Sequence, residues 1–162
     1  MAYMRTKIIS GKKYAYLVES IKTPSGPRQK VKQYIGRVFE FDCSRSVSSN
    51  VQGKTAKLYL KNLVINYLLS LGFKEKDGIL KKKKIYFNLD DFSLLKKTSG
   101  KPKSTAIGLN EGYICTFTLS RILNFTKSKN VGSDARILAK YFVEAGFSLS
   151  KEQFIQFYQL LK

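Results

Sequence analysis

The chain has 162 residues, with 30 Lys+Arg against 11 Asp+Glu, no His, no Trp and two Cys. Its 43 % apolar share is enough for a packed core and excludes a disordered basic tail. A net charge of +19 repels itself, so it points to a polyanionic partner, and nucleic acid is the commonest one.

In chain order, residues 1–38 carry nine Lys/Arg and one acid and read as β structure. Ser10-Gly11-Lys12-Lys13 and Thr23-Pro24-Ser25-Gly26-Pro27 mark turns between three apolar–polar alternating runs, 4–9, 13–21 and 28–36. Residues 1–42 are therefore expected to form a three-stranded antiparallel meander. The Ser-rich, aperiodic stretch 43–53 reads as a linker, and 54–162 as a mixed α/β domain. The whole is an α+β protein.

Within that second part, Thr55 caps a helix that closes at Gly72, and Asp77-Gly78 suits a type I′ hairpin turn. Residues 84–89 read as a strand, 99–102 as a turn, and 96–104 as a mobile basic loop. Gly108 to Gly112 is a tight turn, since it lacks the spacing of a phosphate loop. Ser133 is expected to cap a helix ending at Gly146. Ser150 with Gln153 forms a capping box, so 133–162 is a helix pair. Its apolar stripes read as core, with a homodimer or protein-partner surface as the alternative use.

Side chains alternate across a strand, so register decides which residues share a face. With the first hairpin turning at Gly11-Lys12, Lys7 faces Tyr16; in the second, Tyr16 faces Tyr34 and Val18 faces Lys32. One face then carries Arg5, Lys7, Tyr14, Tyr16, Arg28, Lys30, Lys32 and Tyr34, without an acid. The other carries Ile8, Ala15, Leu17, Ile21, Val31 and Ile35. Cations would contact phosphates, and tyrosines would stack on bases or bond to backbone oxygens. Arg37 extends this set. A second basic group comprises Lys81, Lys82, Lys83, Lys84, Lys96, Lys97, Lys101 and Lys103. It reads either as a phosphate-tracking ridge or as charge that blunts an edge strand.

Residues 11–37 resemble the short N-terminal β segment of insertion-sequence transposases and of similar archaeal proteins. The matching positions are Gly11, Tyr14, Tyr16, Val18-Glu19-Ser20, Gly26, Arg28-Gln29 and Tyr34-Ile35-Gly36-Arg37. The resemblance implies a small DNA-associated β module. It does not imply a transposase, whose long catalytic domain with three carboxylates is absent from this chain.

Catalytic and metal chemistry has little support. Asp90-Asp91 with Glu111 is the one hint of a metal site, and neighbours on a strand face opposite ways, so turn duty is expected of the aspartates. Cys43 and Cys115 make no C-x-x-C pair, so no zinc site is expected. Without a signal-length apolar segment, a reducing compartment is expected and no bridge between them. Cys115, lacking a base, is expected to pack in the interior. The expectation is a non-enzymatic cytoplasmic protein, associated with nucleoid or ribosome, using no cofactor and not entering a membrane. It binds nucleic acid, DNA ahead of RNA. The alternatives are an RNA- or ribosome-associated protein, and an adaptor or inhibitor that docks an acidic protein.

Overall fold

The computed structural model describes residues 2–42, 47–48 and 50–162. Strands β1 (Ala2–Ile9), β2 (Lys12–Thr23) and β3 (Gly26–Glu40) pair consecutively and antiparallel. The first hairpin turns on Ser10 and Gly11, both at positive φ (49° and 72°), which matches a two-residue hairpin loop. That is one position earlier than expected, so Lys7 faces Tyr14 and Arg5 faces Tyr16. A shift of two residues in the pairing keeps every side chain on its expected face.

The second hairpin does not keep them. Ala15 pairs with Gly36 but Tyr16 with Tyr34, and Leu17 with Gln33 but Val18 with Val31. Ile35 and Lys32 are thus extra residues, two β-bulges in one strand. The second bulge reverses the alternation beyond it. Val31 and Gln29 join the tyrosine face, whereas Lys30 and Arg28 stand opposite Glu19 and Ile21. The expected placement of Arg28, Lys30 and Lys32 beside Tyr14 and Tyr16 is therefore overturned, and Lys32 pairs with Glu19 at 3.0 Å.

Helix α1 (Ala56–Ser70) begins where Thr55 accepts the Leu58 amide and ends at Gly72, φ 83°. Strands β4 (Lys74–Lys76) and β5 (Ile79–Lys82) turn on Asp77-Gly78, both at positive φ, as the sequence requires. β6 (Ile85–Asn88), β7 (Ser93–Lys96), β8 (Lys103–Leu109) and β9 (Gly112–Ile114) follow. Residues 96–104, expected as one mobile loop, instead supply strand residues at both ends, and Lys96 pairs with Lys103. After β9 come α2 (Thr116–Leu123), α3 (Val131–Glu144) and α4 (Lys151–Leu160). The cap of α3 is Asn130, which accepts the Ser133 amide, so that helix starts earlier than Ser133 would allow. The capping box of Ser150 and Gln153 is present.

The strands form one mixed sheet in the order β1-β2-β3-β8-β7-β6-β5-β4, with β9 also on β8. Arg37 to Glu40 of β3 run parallel to Thr105 to Gly108 of β8. This junction demands Gly36. Its φ is +141°, and a Cβ there would sit 2.1 Å from the Ser104 carbonyl oxygen.

Two hydrophobic clusters hold the sheet. The larger joins Leu60, Leu63, Val64 and Leu68 of α1 to Leu80, Ile85, Phe87 and Leu94 of the sheet, and reaches Phe142 and Phe157 of the last two helices. Phe142 and Phe157 meet edge to face at 4.9 Å, which locks α3 onto α4. The smaller joins Ala15, Leu17, Ile35, Val38 and Ala106 to Cys115 at the start of α2. Of the Ser-rich stretch 43–53, residues 43–46 and 49 lie outside the described ones, Cys43 among them. Val51 is buried in the larger cluster, and a Cβ on Gly53 would lie 2.5 Å from the Tyr59 amide nitrogen. Among the described residues no helix is long and apolar enough to cross a membrane.

Candidate nucleic-acid interface

Because β1–β3 cover α2 with one face, their other face is open. Register assigns it Tyr3, Arg5 and Lys7 from β1, Tyr14 and Tyr16 from β2, and Gln29, Val31, Tyr34 and Arg37 from β3. Lys103 lies two residues before Thr105, the partner of Arg37, and Lys96 pairs with it, so both extend the same face. The structure thus brings Arg5, Lys7, Tyr14, Tyr16, Tyr34, Arg37, Lys96 and Lys103 together.

Three tyrosines form the centre. Tyr34 lies 5.3 Å from Tyr16 and 6.3 Å from Tyr14 between ring centroids, and remains 52 % exposed. Lys7 Nζ stands 5.8 Å from the Tyr16 ring. Partial burial, followed by the neighbouring Tyr14 and Tyr16 hydroxyls, pushes the Tyr34 hydroxyl above its ordinary value, so it stays a donor well into alkaline solution. Arg5 donates to Gln29 Oε1, and Gln29 Nε2 donates to the Tyr3 hydroxyl at 2.7 Å. Arg37 and Lys96 both sit against the Phe39 ring, at 4.7 and 5.4 Å. An aromatic ring satisfies a cation without neutralising it.

Among the described residues no acid enters this face. The ion pairs of the described residues are Lys13–Glu40, Lys32–Glu19, Lys61–Asp90, Arg121–Glu144 and Lys140–Glu144. Arg5, Lys7, Arg37, Lys96 and Lys103 belong to none of them. Their field is uncompensated within the described protein, which is what an anion-binding surface requires.

The remaining basic residues are dispersed. Lys81 is on the opposite face of the sheet, beside Tyr86 and Lys74 by pairing. Lys82 turns inward, covers Phe41 at 4.4 Å and donates to the Leu71 carbonyl. Lys83 and Lys84 form the β5–β6 turn, and Lys97 and Lys101 lie in the β7–β8 connection. The eight lysines of the second basic group therefore do not form one ridge. Tyr3, Gln29 and Phe39 are members of the site that sequence reasoning missed. Tyr3 shares parity with Arg5 and Lys7, so alternation alone was enough to find it, whereas Phe39 shares this face with Arg37 only because the Ile35 bulge shifts the alternation there.

Elsewhere, Asp91 accepts the Ser93 amide at 2.9 Å, and Asn88 accepts that of Asp90 at 2.8 Å, which is turn duty. Among the described residues no three His, Cys, Asp or Glu side chains gather around a cation-sized space. Cys115 is buried with a free thiol, and burial holds that thiol protonated above its ordinary value. No protein-family model matches the sequence, and no curated protein or solved structure matches it either.

Proposed function

We propose that the protein binds nucleic acid without catalysing a reaction, with DNA the favoured partner, and that the open face of β1–β3 makes the principal contacts. One observation carries this reading. Five cations and a tyrosine cluster share a solvent-facing surface with no acid to neutralise them. Lys and Arg neutralise phosphates there, and Tyr34 offers an exposed ring to a base or a hydroxyl to a backbone oxygen. The preference for DNA rests on the resemblance of residues 11–37 to transposase N-terminal segments.

Fluorescence anisotropy across a salt series tests the proposal. If about six phosphates are neutralised, log K falls against log[salt] with a slope near −5. A flat dependence, or no binding to any nucleic acid at low salt, sinks it. Competition among duplex DNA, single strands and structured RNA separates DNA binding from RNA or ribosome association. A protein that instead docks an acidic partner would retain that partner after nuclease treatment.

A further inference from the structure

β1 begins at Ala2 among the described residues, opposite Glu19, and β3 meets β8 only from Arg37 onward. Among the described residues neither β1 nor β8 pairs with residues 20–29 of β2 and β3, which stand out from the sheet as a two-stranded arm. Apart from Thr23 and Gly26 at its tip, every residue from Ser20 to Gln29 is exposed. An unsupported hairpin of this kind is marginal in water, so the tip must be set locally. Pro24 fixes the turn, and the Thr23 hydroxyl donates to the Gly26 carbonyl at 2.6 Å.

The arm bears cations on both faces. Lys22 pairs with Pro27 on the tyrosine face, and Arg28 pairs with Ile21 on the other; Lys30 follows at the root. Glu19, the one acid nearby, is held by Lys32, which lowers its pKa first through the hydrogen bond and then through charge. Strand addition by a second copy is opposed by this charge and by Pro27 in the edge.

We infer that the β2–β3 arm enters the major groove of duplex DNA while the tyrosine face rests on the flanking phosphates. This rests on the proposed nucleic-acid reading. Paired strands lie ~4.8 Å apart, and four residue pairs span ~14 Å, whereas the groove is ~12 Å wide and ~8.5 Å deep. The duplex lines both walls of that groove with phosphate, which matches cations on both faces of the ribbon. The major groove of duplex RNA is too narrow and deep for such an arm.

The test uses the full chain and three probes: a B-form duplex, the same duplex with glucosylated 5-hydroxymethylcytosines filling its major groove, and a single strand. The parent protein should bind the filled duplex about tenfold more weakly than the open one. The K22Q/R28Q variant should lose about tenfold on the open duplex, with its salt slope reduced by about 2, and less than about twofold on the single strand. Both side chains are exposed and unpaired, so its circular dichroism should match the parent. Equal binding to filled and open duplex, or an equal loss on the single strand, overturns the arm's placement and leaves nucleic-acid binding standing. Failure of the parent on all three probes removes both.

Discussion

The two ends of the sheet are built on opposite plans. At the β4–β7 end, α1 covers the face carrying Leu80, Phe87 and Leu94, and the large cluster does the stabilising. At the β1–β3 end that same face of the sheet is open, and the opposite one holds a small cluster against α2. Apolar burial is spent where helices are available, and the uncovered surface collects charge that the folded chain alone does not neutralise. Stability and binding should accordingly be separable by mutation.

The widest separation is expected from Phe87→Ala at the covered end. Phe87 is fully buried and meets Phe92 edge to face at 5.9 Å, so the change should cost about 4 kcal/mol in urea unfolding. Wherever the variant remains folded, its affinity for nucleic acid should be that of the parent. The converse experiment replaces Arg5, Lys7 and Arg37 together with Gln. Affinity should fall about a hundredfold near physiological salt, and the salt slope should flatten by about 3. The unfolding midpoint should hold or rise, because like charges have been removed.

Gly36→Ala strikes the seam between the ends. Its methyl group has no room beside Ser104, and its φ suits glycine, so stability should drop by about 2 kcal/mol. Binding should weaken with it, since β3 turns into its junction with β8 there. A variant that kept parental stability would show that the two ends are less coupled than the register implies. Tyr34→Ala should be milder, weakening single-strand binding by about 1 kcal/mol with little change in folding. The smallest effect is a titration. Tyr34 ionises in the unfolded chain near its ordinary 10.0 but later in the folded one. Stability from this group is therefore full below pH 10 and is lost as pH rises through the raised folded value. Tyr34→Phe should remove one step from the alkaline side of the tyrosine absorbance titration.

What the sequence disclosed was local. Thr55, Asp77-Gly78 and the Ser150–Gln153 box each act within a few residues, and each stands where its chemistry places it. The tyrosine face was legible for the same reason, because simple alternation puts Arg5, Lys7, Tyr14 and Tyr16 on one side. Arg28, Lys30 and Lys32 were not, because the bulge at Lys32 reverses the alternation beyond it. The bulge at Ile35, which carries Arg37 onto the tyrosine face, was hidden too, since Ile35 is drawn into a cluster that includes Ala106 and nothing near position 35 announces a contact so far along the chain. Strand β8 was hidden likewise. Lys103 and Ser104 close a low-complexity run, and only pairing with β7 and β3 makes a strand of them.

The parallel β3–β8 junction also bears on the order of folding. The Thr105 hydroxyl bonds to the Arg37 carbonyl across 68 residues of chain, whereas the two N-terminal hairpins close over short loops. On a ribosome, those hairpins emerge and pair long before the strand that completes their sheet exists. Until then β3 presents an unpaired edge, and a nascent chain with such an edge is prone to wrong pairing. The repulsion among its early lysines and arginines would keep neighbouring nascent chains apart during that interval. Closure of β8 onto β3 should be slower than closure of either hairpin, because it joins residues far apart in the chain.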